Sequence, residues 1–537
     1  MSKSKYWISA CFFCLATAVS VFGAENIYDV RDYGAKPDGK TLCTKPIQAA
    51  IDQCAAQGGG TVYFPCGRWL SGTIYLKSYV TVSLDPCCVL LGSRDVKDYV
   101  HALNPYAEAA LGGPYSGRSL IAGKNLKHVA IRGRGTIDGQ GSAFRWKNGK
   151  ERPKLIYLEN CSDLLIEDVR MRNAGSWMQH YRDCDRLTIR GISVFDHSTY
   201  NNDGLNIDYC RDVCISGCML DSDDDAMCLK SLSTKPCENV TISNCVFSSF
   251  CNAIKMGTES GGGFKNITIT NCVICPPRYP KSINDRQRGV SGITLQIVDG
   301  GTLDRVTISN IVMHGVNSPI FIRLGNRARQ YEKDQPVPPV GKLRNVVLSN
   351  IIATDASRIG CSIVGLPGHP IENVSLSNIN ISFEGGETRR TAAKKVREKA
   401  ESYPAAFMFG VLPSYGFYCR HVKGLKFTNV RLQTAQADQR HALICEDVED
   451  MLIDSLDAPC SPGAAAIIRM TDVRNAFVRG CRPKIGTELF LNLQGPQSRD
   501  VVLSGNDFSG VGRIAVTAPD VPKAALTQLA NRIAEKP

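Results

Sequence analysis

The chain has 537 residues, 43% hydrophobic and 21% charged, with 63 Lys and Arg against 51 Asp and Glu and a formal net charge of +12. That length exceeds an ordinary compact domain unless the architecture is elongated, and the composition excludes a disordered or fibrous chain. The basic balance suits an acidic polymer as partner or serves solubility alone, while nucleic acid is disfavoured because no basic run with interleaved aromatics occurs.

At the N-terminus, Lys3 and Lys5 precede an apolar run that ends in the small residues Val21, Gly23 and Ala24. This is the pattern of a secretory signal peptide over residues 1–24. No second apolar run of spanning length follows, so the expected protein is soluble, without membrane insertion, and secreted or periplasmic. Residues 25–537 are expected to form a single domain.

Within the segment 25–100, Ile47, Ala50, Ile51 and Cys54 recur at helical spacing. The spacing predicts an amphipathic helix near 45–57, placed to close an exposed sheet end where open strand edges would invite aggregation.

From residue 160 onward the chain returns to one phrase, as in NCSDLLIEDV, DCDRLTIRGI, PCENVTISNC, FKNITITNC and LRNVVLSNI. With Leu164, Leu187, Val213, Val240 and Ile267 as equivalent positions, the steps are 23, 26, 27 and 27 residues. Short alternating strands at that period predict an all-β solenoid, a right-handed parallel β-helix of about ten coils. Each phrase turns on an asparagine (Asn244, Asn271, Asn310, Asn350, Asn378), a residue that tolerates left-handed backbone and can bond from coil to coil. The Asn-x-Ser/Thr strings at Asn239, Asn266 and Asn373 read as by-products of this pattern. Cysteine recurs in phase with it at Cys161, Cys184, Cys210, Cys218, Cys237, Cys245 and Cys272, so most cysteines read as small buried residues. The tandem Cys-x-x-Cys pairs of a zinc site are absent.

A second strand lies between the phrases: DGLNID, DAMCLK, NAIKMG, GITLQI and PIFIRL. If their apolar residues point inward, Asn206, Asp208, Lys230, Lys255, Thr294, Gln296 and Arg323 line one outer face, with Asp203, Asp225 and Asn252 at its edge. The segment 201–231 also carries Asp212, Asp221, Asp223 and Asp224. Such a cluster faces water, binds a cation such as calcium, or performs acid–base chemistry. Crowded carboxylates raise one another's pKa, which sets a proton donor beside an ionised base, the pair that glycosidic hydrolysis needs.

Asn201-Asn202-Asp203-Gly204 followed by Asp223-Asp224-Asp225 resembles the signature of glycoside hydrolase family 28, the polygalacturonase family of right-handed parallel β-helices. YDVRDYGAKPDGKT and GRGTIDGQG in the N-terminal part are similar too. The resemblance implies that Asp224 is the general acid, that Asp203 and Asp225 hold the attacking water, that anomeric configuration inverts, and that no cofactor or metal takes part. It implies a pectic polysaccharide or oligosaccharide, galacturonate- or rhamnogalacturonan-type, as substrate. His180, Asn202, Asn252, Lys255, Gln296 and Arg323 are the candidate substrate contacts. For His180 the rival is a local hydrogen bond, and for Lys255 and Arg323 a surface charge.

Two departures from the family's pattern stand out. Cys251-Asn252-Ala253 replaces Gly-His-Gly, and Thr294 and Gln296 replace the cations of Arg-x-Lys. Unbranched polygalacturonate is therefore expected to be a poor substrate. The strand pattern breaks over 380–415, where the segment carrying Arg389, Arg390, Lys394, Lys395, Arg397 and Lys399 reads as an inserted basic helix or loop, a short helical excursion that flanks the binding face or is merely solvated. The expected protein is a monomeric glycoside hydrolase. A calcium-dependent polysaccharide lyase or a non-catalytic glycan-binding solenoid on the same scaffold are the alternatives.

Overall fold

The computed structural model describes residues 26–100, 117–145, 147, 151–332 and 334–533, so the expected signal peptide lies outside the described residues. The recurring phrase does form strands, and their alternation separates inside from outside. In Cys237–Ser243, Val240 and Ile242 are buried while Thr241 between them is exposed. Equivalent strands stack in parallel and in register: Leu164 pairs with Leu187, Leu187 with Val213, Val213 with Val240 and Val240 with Ile267. The result is a parallel β-helix.

This ladder continues from Ile27–Asp29 to Leu526–Leu529, beyond the ten or so coils the phrase alone suggests. The coils before residue 160 and after 430 keep the strand and depart from the recurring phrase, which is why the repeat understates the stack. One hydrophobic core runs along the axis, filled by rows of Val, Ile and Leu, each worth roughly 1.5–3 kcal/mol when fully buried.

The asparagines act as expected. Asn244, Asn271, Asn310, Asn350 and Asn378 all have φ near +55°, in the left-handed region. Their side chains bond coil to coil, Asn310 to Asn271 at 3.0 Å, Asn350 to Asn310 at 3.0 Å and Asn378 to Asn350 at 2.9 Å. Asn239, Asn266 and Asn373 belong to a second such ladder. The seven in-phase cysteines are buried, and no disulfide occurs among the described residues.

The expected helix spans Thr44–Ala56, buries Ile47, Ala50, Ile51 and Cys54, and packs against the first strands, Ile27–Asp29, Gly60–Phe64 and Ile74–Tyr75. In the basic insert the helix is one turn, Arg389–Ala392, and the rest of the basic run is loop. In that loop Lys394 Nζ donates to the carbonyls of Phe409 at 2.7 Å and Val411 at 2.8 Å, and Lys399 Nζ donates to that of Met408. These bonds fold the segment back on itself, whereas a continuous helix would have stacked six like charges. Among the described residues no helix is long and apolar enough to cross a membrane.

Candidate active site

One sheet of the solenoid carries the site. Its strands Gln179–Arg182, Leu205–Asp208, Met227–Ser231, Asn252–Ser260, Gly289–Ile297 and Val316–Leu324 pair in parallel, so His180, Asn206, Cys228, Lys255, Thr294 and Phe321 form one outward row. Just before these strands, the Gly204 N–H donates to the Asp225 carbonyl and the Ala226 N–H to that of Asn252, which stacks Asp203, Asp225 and Asn252 on successive coils. Gly204 is required there, because a Cβ would stand 2.7 Å from the Ala226 carbonyl oxygen.

Charge at the site is paired in two buried groups, three carboxyls against two ammoniums. Asp225 accepts from Lys255 Nζ at 2.7 Å and from Asn252 Nδ2 at 2.6 Å. Lys230 Nζ bridges Glu259 at 3.2 Å and Asp203 at 3.5 Å. Asp224, partly exposed, accepts from the Asp225 N–H through Oδ1 at 2.9 Å, and its own N–H donates to Asn202 Oδ1 at 3.2 Å. Asn252 Oδ1 in turn accepts from Ser291 at 2.6 Å and Thr294 at 3.2 Å.

These surroundings drive the three aspartates apart. Burial and the neighbouring Asp225 push the Asp224 carboxyl above the usual range. Burial pushes Asp203 well up, with Lys230 opposing and Asp224 and Asp225 adding to the rise. Burial acts in the same direction on Asp225, but Lys255, Lys230 and Asn252 overcome it and hold the carboxylate below its ordinary value.

His180 is buried between Lys154, whose ammonium is 3.0 Å from Nδ1, and Asp208, 3.1 Å from Nε2. Burial and the three cations Lys154, Arg182 and Lys230 hold it neutral. Nδ1 then accepts from Lys154 and Nε2–H donates to Asp208. Trp177 lies edge-on to His180, with the ammonium groups of Lys154 and Lys230 over its ring at 4.8 and 4.7 Å.

The structure thus brings together Asp203, Asp224, Asp225, Asn202, Asn252 and Lys255, with His180 beside them. It places Gln296 and Arg323 elsewhere. Gln296 Nε2 donates to the Pro404 carbonyl at 3.2 Å, and Arg323, 1% exposed, donates to the carbonyls of Val364, Gly365, Glu398 and Lys399. Both are spent on backbone, much of it in the insert.

Three further residues enter the site unannounced: Lys154, Trp177 and Glu259. Asn206 is fully buried and neither atom of its amide has a hydrogen-bond partner. Glu259 escapes coil counting because the register slips between Leu229 and Ser231, where the partner jumps from Met256 to Ser260.

Asp224, Asp225 and Cys251 offer ligand atoms within 4.8 Å of one another. A thiol is a poor calcium ligand, and the Lys255 ammonium already lies against Asp225. The same figure puts Asp224 and Asp225 closer than the roughly 6.5–9.5 Å expected of a separated inverting pair.

Residues 105–402 match the sequence model described as glycosyl hydrolases family 28. The chain belongs to that family. A probable polygalacturonase of Vitis vinifera is 36% identical over 214 residues, covering 37% of this family member and 43% of the plant protein. An exo-poly-alpha-D-galacturonosidase of Dickeya chrysanthemi is 24% identical over 255 residues, covering 38% and 41%. The family 28 chain therefore spans well under half the length of these curated relatives. Among solved structures, an exopolygalacturonase of Thermotoga maritima aligns with a TM-score of 0.56 at 22% identity, covering 68% of this chain and 88% of its own. A polygalacturonase of Erwinia carotovora aligns at 0.51 with 18% identity, covering 68% and 96%. Those two likenesses are of fold.

Proposed function

We propose that the protein is a secreted glycoside hydrolase that cleaves pectic polysaccharide or oligosaccharide. One observation carries the reading: two adjacent carboxylates are driven in opposite directions, Asp225 kept ionised by Lys255 and Asn252, Asp224 kept inclined to hold a proton. That is the acid beside a base that glycosidic hydrolysis requires. Asp224 gives its proton to the departing glycosidic oxygen as the C1–O bond breaks. Asp225, with Asp203, orients a water whose oxygen bonds to C1 and takes up the proton that the water releases. The net change is one water added and one glycosidic bond lost.

Inversion of configuration rests on the family likeness. The short Asp224–Asp225 spacing taken alone is nearer that of a retaining pair, about 5–5.5 Å. The released anomer therefore decides the mechanism, and inversion is the expected result.

The experiment that tests the reading is incubation of the purified protein with a panel of pectic polymers and oligosaccharides, with identification of the released products and their nascent anomer. New reducing ends, insensitive to chelator, support hydrolysis. An unsaturated, ultraviolet-absorbing product lost in chelator would instead establish a lyase, and binding without release would establish a non-catalytic solenoid.

A further inference from the structure

The outward row of the active sheet changes character one coil beyond Lys255. Up to Thr294 it is polar; from there it continues through Phe321, Ser362, Tyr418 and Ile444. Outward-facing apolar side chains on a solenoid need a cover, and they have one. Val290, Phe321, Val364, Tyr418 and Ile444 form a second hydrophobic core, outside the helix axis, with Ala406, Met408, Phe409 and Leu412 of the insert. Burial of this size is what fixes a segment against a sheet.

Arginines on alternate coils then fasten the insert's backbone. Arg323 donates to the carbonyls of Glu398 at 2.7 Å and Lys399 at 3.2 Å, and Arg420 to those of Val396 at 2.8 Å and Arg397 at 3.2 Å. Arg469 reaches the Ala392 carbonyl at 3.2 Å. Gln296 holds Pro404. The edge of the cover stands one coil from Lys255, because Gln296, two residues along the strand from Thr294, the Lys255 partner, seats Pro404 and with it the adjoining Tyr403. Tyr403 itself keeps 56% of its surface exposed. A polymer lying along the row past Asp224 and Lys255 would meet this wall immediately.

We propose that the insert over 384–413 ends the substrate face one coil beyond Lys255, so that the site accepts the end of a glycan and releases a terminal unit, in place of cutting internally. This rests on the hydrolase reading above. It goes beyond that reading in assigning the mode of attack and the element that imposes it. The geometry is the reason: an inner stretch of polymer has sugars on both sides of the broken bond, whereas the cover begins one rung beyond Lys255, about 4.8 Å along the sheet.

The test uses the full mature protein and hexasaccharides of homogalacturonan and of rhamnogalacturonan type, each carrying a fluorescent label at the reducing end. The expected result is one small product from the earliest time point, with the substrate shortening by a constant step. An early ladder of internal fragments would overturn the inference and leave the hydrolase reading standing. Absence of any sugar release from either series, or from longer pectic polymers, would overturn both. In a variant with 388–412 replaced by a short Gly-Ser linker, internal fragments should emerge. A folded variant of this kind that still yields only terminal product would also overturn the assignment, and if it does not fold, the wild-type product series decides.

Discussion

The coils carrying strands Leu205–Asp208 to Asn252–Ser260 and the coils carrying Val316–Leu324 to His441–Asp457 share one sheet and one alternation, yet their outer faces have opposite fates. In the first, buried Asp203, Asp225, Lys230, Lys255 and Glu259 pair with one another within hydrogen-bond reach. In the second, Phe321, Tyr418 and Ile444 pack under the insert, and the buried cations Arg323 and Arg420 hold its carbonyls. The comparison shows that a solenoid strand does not commit its outward residues to solvent. Burying charge against charge creates chemistry at a cost in stability, and burying apolar surface under an insert supplies stability and a boundary.

This contrast predicts that mutations in the two regions fail differently. In the first, Asp224→Asn, Asp203→Asn and Asp225→Asn should each lower the hydrolysis rate by about a hundredfold or more, the scale of positioned acid–base catalysis. The fold should survive, as read by circular dichroism and thermal melting. Near-normal rates in any of the three would remove that residue from the mechanism.

In the covered coils, Arg323→Ala should act on stability. It strands buried carbonyls that now accept from a charged donor, at a loss of at least about 2–3 kcal/mol. Urea unfolding of the variant would measure this. A midpoint equal to that of the parent protein would mean that the insert is only draped over the sheet.

The fold was legible because its signal is repeated many times: an error at one coil is corrected by the next. The aspartates were legible for a similar reason, since Asp203 and Asp225 occupy equivalent places on adjacent coils. The insert was not. Its six basic residues stand out in the sequence, but the groups that seat it, Ala406, Met408, Phe409 and Leu412, follow no period and lie mostly after the charged run. Arg323 looked like a sugar contact because strand alternation gives the direction of a side chain and says nothing of what covers it. Lys154 comes from the strand one coil earlier and Trp177 from the turn just before the His180 strand, and their approach to His180 depends on side-chain length and direction that strand alternation does not give.

A smaller effect concerns the sugar itself. Asn252 is bonded to Asp225, Thr294 to Asn252, and Gln296 to the insert, and none offers the cation that would grip a galacturonate carboxylate. Turnover of unbranched polygalacturonate should be slower than that of a branched or rhamnose-containing fragment by roughly tenfold, equivalent to about 1.4 kcal/mol of lost contact. Equal rates on the two would show that Lys255 alone suffices for the carboxylate despite its tie to Asp225.

The smallest predicted effect separates catalysis from stability within one residue. The Asp203 carboxyl is pushed above its ordinary value chiefly by burial and by Asp224 and Asp225, so its charged form is less favourable folded than unfolded. The sign follows: a raised carboxyl destabilises the fold at any pH above its folded pKa, and the penalty fades as pH falls toward the unfolded value near about 3.9. Asp203→Asn removes the penalty, and Lys230 keeps Glu259 at 3.2 Å as its partner. The variant should therefore melt higher than the parent at pH 7, by about 1 kcal/mol, the scale on which functional sites give up stability, while being catalytically crippled. The gap should close by about pH 4. A variant less stable than the parent at pH 7 would show that the Lys230–Asp203 contact outweighs the crowding of three carboxylates, and the charged coils would then be held together by their ion pairs as firmly as the covered coils are by their apolar ones.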